Sequence, residues 1–204
     1  MRHVAAAAAL VAGGCAAVHP AHPVRTFALF YPPPQAAGIP PLPVTVRVVP
    51  FGIVAAYDRQ GFTYREGAYD VGVDYYNRWV GSPAGLITDL VARDLAASGR
   101  VQAVLQAPSA LASDYEINGQ IETLEEEDDA GACAAHLRLR IFVVRARAAD
   151  RRQVLLQDGF AADELCRRAD PGSYAEAMSR AVQRVSDQLR AAALAAIAQD
   201  RSGG

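Results

Sequence analysis

The chain has 204 residues, enough for one domain with a sizeable core. Its formal net charge is −2, which argues against an electrostatic grip on nucleic acid, and the replacement of lysine by arginine throughout reads as a high-GC genome rather than a phosphate-binding device. Half of the residues are hydrophobic, with alanine inflating the figure, yet past the leader no run of about 18 uncharged apolar residues offers a membrane span.

From the N-terminus, Arg2 and His3 precede an apolar stretch, Val4 to Ala12, that is too short to cross a bilayer. Small residues then lead to Cys15 in Leu10-Val11-Ala12-Gly13-Gly14-Cys15, the order of a secretory leader. A cysteine at the cleavage point looks like a bacterial lipoprotein signal. Residues 1–14 are then removed and Cys15 is lipidated. Ala12 stands where leucine is usual, and the alternative is an ordinary leader in which Cys15 is incidental. Ala16 rather than aspartate after the cysteine points, in Gram-negative lipoproteins, to the outer membrane.

Residues 15–43 read as a tether, holding most of the chain's prolines. Thr26 to Tyr31 form one short strand within it. A folded domain is expected over residues 44–200, with a disordered tail at 201–204. Val44, Val46 and Val48 alternate as in a strand. Phe62 to Arg65 and Tyr69 to Tyr76 predict a hairpin about Glu66-Gly67. Ser82-Pro83 opens a helix with the stripe Leu86, Leu90, Val91 and Leu95, ended by Gly99. Val101 to Leu105 is a short strand. Tyr115, Ile117, Gly119 and Ile121 lie on one face of a longer one. After Cys133, the odd-numbered residues Leu137, Leu139, Ile141 and Val143 share a face. The last helix starts with the capping box Ser173-Tyr174-Ala175-Glu176 and carries Met178, Val182, Val185, Leu189, Ala192 and Ala196 on its stripe. The order predicts an α+β single domain: an antiparallel sheet with two amphipathic helices packed on one face.

The segments 134–148 and 153–162 read as strands joined by the turn Ala149-Asp150-Arg151-Arg152. Folding about it sets Cys133 nearly opposite Cys166, so a disulfide is expected in an oxidising compartment; two buried thiols are the alternative. No catalytic motif, metal-ligand pattern or cofactor-binding loop is present, so no enzyme, metal or cofactor is expected. Cys133-x-x-His136 places its side chains on opposite faces of a strand and is not a dyad. His19 and His22 belong to the tether. Glu125-Glu126-Glu127-Asp128-Asp129 lacks the spacing of a calcium loop and reads as a solvated hairpin tip. Tyr64, Tyr69, Tyr75, Tyr76 and Trp79 are candidates for partner or lipid contact, with Trp79 the strongest candidate for the core.

Thr26-Phe27-Ala28-Leu29-Phe30, the strand from Val44 to Pro50, and Tyr75-Tyr76-Asn77-Arg78-Trp79 form a familiar set. It continues through the helix at 82–99, Tyr115-Glu116-Ile117-Asn118-Gly119-Gln120-Ile121 and the closing helix. In these the chain resembles the auxiliary lipoproteins of ABC-type transport systems, the PqiC/YmbA-like family that accompanies MCE lipid-transport proteins. The resemblance implies a non-enzymatic lipoprotein at the periplasmic face of the outer membrane. Its expected partners are an MCE-domain protein and the ABC permease of the same system, the membrane through its N-terminal lipid, and further copies of itself in a homo-oligomer. A structural or pilotin-like assembly factor and a periplasmic lipid carrier are the alternative readings.

Overall fold

The computed structural model describes residues 22–36, 38–129, 132–146 and 152–203. The leader, Cys15 and most of the turn at 149–152 lie outside them.

The longest alternating pattern in the sequence becomes the spine of the fold. Strand β7 (Tyr115–Asp129) runs antiparallel to β8 (Ala132–Arg145) along its whole length, and β8 pairs in the same sense with β9 (Gln153–Cys166). The other edge of β7 is shared by three strands in series, all parallel to it. β2 (Leu42–Val48) takes its start, β3 (Gly52–Ile53) its middle and β4 (Gly61–Glu66) its end. From this row the sheet extends two ways. β2 pairs in parallel with β6 (Val101–Leu105), while β4 forms the expected hairpin with β5 (Asp70–Trp79), which takes β1 (Arg25–Phe27) in parallel. The sheet is therefore mixed rather than antiparallel as expected. The long ladders are antiparallel and the short N-terminal ones parallel, because a period of two reports which face a residue takes and not which way its neighbour runs.

Helix α1 (Pro83–Ala97) begins at Ser82, but the serine hydroxyl makes no capping bond. Pro83, whose missing N–H needs no partner, supplies the start instead. The buried stripe is Ile87, Val91 and Leu95 with Ala84 and Thr88, so Leu86 and Leu90, expected on it, fall on its half-buried flank. Gly99 ends the helix with φ +63, a conformation in which a side chain is strained. Helix α2 (Pro171–Ser202) starts one turn earlier than the predicted box. Asp170 is its cap, accepting from the Ser173 N–H at 3.1 Å, while the Ser173 hydroxyl accepts from the Arg167 N–H at 2.9 Å. The carboxylate reaches the same orphan donor that a capping serine would, with Pro171 already fixing the first turn. The stripe runs as expected through Leu189, then continues on Ala193 and Ile197 rather than Ala192 and Ala196. A straight helix drifts from any strict four-three alternation. The helix extends through Ser202, into the stretch expected to be a tail.

Both helices and the buried face of the sheet share one core, in which α2 packs on β8 and β9. The core starts before Val44. Leu29 and Tyr31, read above as tether, are buried in it. Tyr31 donates to Asp94 Oδ2 of α1 at 2.7 Å, and Ser186 of α2 donates to the same oxygen at 2.7 Å. Arg93 pairs with the other oxygen at 2.7 Å and lies over the Tyr31 ring at 4.5 Å. Burial, then the hydrogen bond to Asp94, push the Tyr31 phenol well above its usual range. One buried carboxylate thus ties the N-terminal segment to both helices. No helix of the described residues is long and apolar enough to cross a membrane.

Candidate partner surface

The five aromatic candidates separate into three environments. Trp79 is 1% exposed and unavailable to any partner. It packs 4.4 Å from Phe62, which in turn meets Phe27 at 5.1 Å and Tyr174 at 4.9 Å, so β1, β4, β5 and α2 converge on one aromatic cluster. Tyr64 is half-buried, its ring lying across Gly72 of the neighbouring strand, where a β-carbon would come within 2.2 Å of it. Tyr69, Tyr75 and Tyr76 are the exposed set, at 98%, 71% and 43%.

These three do not stand on a regular strand. Between Val73↔Thr63 and Arg78↔Gly61 the β4–β5 register slips, so that Asp74 to Asn77 bulge outward. Asp74 holds the bulge, accepting from the Tyr76 N–H at 2.7 Å and the Asn77 N–H at 3.0 Å. Gly61 leaves room for it, since a β-carbon there would sit 2.7 Å from the Asp74 carbonyl oxygen. The outcome is that Tyr75 and Tyr76, which a flat strand would send to opposite faces, meet edge to face at 5.3 Å. Val71 and Val73 continue the exposed apolar strip towards Tyr69 at the hairpin turn.

The acidic run is placed differently from expectation. It lies inside β7, and Glu125 is only 6% exposed. Its carboxylate accepts from Arg65 at 2.8 and 2.9 Å and from the Tyr57 hydroxyl at 2.8 Å. Burial alone would push Glu125 up, but the hydrogen bonds from Arg65 and Tyr57 outweigh it and hold the carboxyl below its ordinary value. Its neighbour Glu126 has no such partner. Burial, then the charges of Asp128 and Asp74, push it up to about 7. A run of acids reads as solvated until a partner some 60 residues away removes part of it from water, and the sequence holds no local sign of that pairing.

Cys133 and Cys166 are cross-strand partners joined by a disulfide. Glu126 approaches them, but the sulfurs are committed to each other and are not metal ligands. His136 bridges Asp163 at 2.6 Å and Glu127 at 2.8 Å on the other face of β8, so it forms no dyad with Cys133.

The mixed sheet thus presents a pair of tyrosines outward and holds the buried carboxylates Asp94 and Glu125 in ion pairs. The kind of protein follows from comparison. The profile described as the ABC-type transport auxiliary lipoprotein component matches residues 27–190, and the chain belongs to that family. Protein XCC0632 from Xanthomonas campestris, of the DUF330 family, shares its fold at a TM-score of 0.79 and 18% identity, over 88% of this chain and 99% of that one. An uncharacterized protein aligns at 0.58 and 10% identity over 82% and 97%. The hypothetical protein CT253 from Chlamydia trachomatis aligns at 0.54 and 12% over 75% and 96%. No curated protein matches the sequence.

Proposed function

We propose that this protein is a non-enzymatic, lipid-anchored component of an MCE-type ABC lipid transport system. It works in the periplasm, tethered through Cys15 to the outer membrane, by binding the MCE-domain protein and through it the ABC permease, with self-association into a homo-oligomer. The observation that carries this reading is the family match across residues 27–190, joined to a leader that ends at a cysteine. ATP hydrolysis belongs to a partner. The described residues favour a scaffold over a lipid carrier. A groove of about 420 Å3 at the C-terminal end of α2 is lined by Arg145, Gln199 and Asp200 beside Leu155 and Ala196, a mixed lining in which the charged groups disfavour an acyl chain.

The test is in-cell crosslinking of tagged, full-length protein, followed by identification of what is captured. Recovery of an MCE-domain protein with its permease is the expected result. Capture of secretin or other assembly factors without an MCE protein would replace this reading with the pilotin-like one. Stoichiometric phospholipid co-purifying with the protein would replace it with the carrier.

A further inference from the structure

The exposed tyrosines lie where the chain enters the domain. His22, the first described residue, packs edge-on against Tyr76 at 5.5 Å. His22, Pro23, Arg25, Tyr76 and Asn77 line an open groove of about 350 Å3. Only six residues separate His22 from Cys15. Even fully extended, that link spans roughly 25 Å at the chain's maximum rise per residue. A lipid at Cys15 therefore holds the bulge close to the membrane, whichever way the domain turns.

The chemistry of the bulge suits that position. Tyrosine has an apolar ring and a polar tip and collects at the headgroup level of bilayers. Tyr75 and Tyr76 project as a pair, and Tyr69, Val71 and Val73 extend the apolar surface along the same strand. Two cations flank them: Arg78 lies 5.8 Å from the Tyr75 ring centre, and Arg25 stands on the adjoining β1. Two acids accompany them: Asp74, engaged by the backbone of the bulge it holds and by the Asn77 amide at 2.6 Å, and the exposed Asp70 between Tyr69 and Val71. An aromatic pair with polar tips and balanced flanking charges, on a short leash to an acyl chain, matches the headgroup level of a phospholipid surface.

We infer that the Tyr75–Tyr76 bulge, with the strip through Val73 and Val71 to Tyr69, is the face on which the domain rests against the lipid surface that anchors it. This rests on the lipid anchor at Cys15 in the function proposed above. It orients the molecule: β5 turns to the membrane, and β9, at the opposite edge of the sheet, turns away from it.

The experiment uses full-length lipoprotein purified from membranes and reconstituted in vesicles of phosphatidylethanolamine and phosphatidylglycerol. The lipids are brominated near the glycerol end of their acyl chains. Tyr75→Trp keeps an aromatic ring at the bulge and adds a fluorophore; Gln157→Trp does the same on β9, and the native protein gives the Trp79 background. The added indole at position 75 should be quenched at least about twofold more than that at 157, as an interfacial aromatic would be. Adding Tyr69→Ser and Tyr76→Ser should lower the quenching at 75. Mass spectrometry of the N-terminal peptide is read first. An unacylated terminus overturns the anchor and this inference together. An acylated terminus with equal quenching at 75 and 157 overturns the inference alone. Equal quenching by lipid, combined with shielding of position 75 from iodide when an MCE-domain protein is added, overturns it in favour of a protein contact.

Discussion

The two wings of the sheet solve different problems. On one side, β7, β8 and β9 form long ladders, each with a single register shift, closed by a disulfide and backed by α2. On the other, β1, β4 and β5 form short ladders, interrupted by a bulge, with an exposed apolar face. In the first wing β7 and β8 bury one face against the helices, while β9 stays largely exposed, with Val154 and Leu165 in water. The second leaves Tyr69, Val71, Val73, Tyr75 and Tyr76 in water along one strand, the kind of patch that marks a contact surface. The long ladders and the proposed contact surface therefore lie on different strands, and substitutions can separate them.

The largest effect is expected in the ladder wing. Replacing Cys133 and Cys166 together by alanine should cost about 3–4 kcal/mol, the chain-entropy value for a loop of this size, and leave partner capture intact in the cold. Chemical denaturation with and without reductant measures it. A loss of capture at full folding would mean that the wings are not separable.

Next comes the ion pair that joins the wings. Arg65→Met strands the buried Glu125 beside Tyr57 alone and should cost about 2–3 kcal/mol. The native pair stabilises the fold above pH 4.5, the ordinary carboxyl value, and that contribution disappears as the pH falls through the lowered value of Glu125. The variant should therefore lose most at neutral pH and converge with the native protein in acid, as pH-dependent unfolding curves would register.

Glu126 should act in the opposite sense. Its folded value, about 7, lies above the ordinary 4.5, so the folded state holds the proton more tightly and the carboxyl weakens the fold as the pH rises from 4.5 through 7. Glu126→Gln should stabilise the protein by about 1 kcal/mol at pH 8, after allowance for solvent screening, and change nothing near pH 4. The smallest effect sharpens the contrast most. Tyr69→Ser, at a fully exposed ring, should move stability by less than about 0.5 kcal/mol. A larger loss in thermal unfolding would return Tyr69 to a structural role.

Legibility in the sequence followed the same division. The ladder wing was readable, because alternation at Leu137 to Val143 and the placing of two cysteines about one turn are local patterns, and the bridge is present. The hairpin, the helix stop at Gly99 and the strand at Val101 were legible for the same reason. What escaped depended on distant partners. The parallel pairing of β2, β3 and β4 with β7, the burial of Glu125 by Arg65, and the capture of Tyr31 by Asp94 each join segments far apart in the chain. The site was half legible. The tyrosines were visible as a cluster and Trp79 as its core member, but only the register slip after Val73 brings Tyr75 and Tyr76 together.

The arrangement of three strands in a row along one edge of β7 also sets an order of events. β2, β3 and β4 are synthesised before β7, and each completes its pairing only when β7 is present. The β7–β8–β9 meander, by contrast, closes on near neighbours, which favours early formation. β4 can pair at once with β5, but the valine-rich Leu42–Val48 segment waits unpaired until its first partner, β6, has been made. During that interval it is the stretch of this protein most in need of a chaperone's cover.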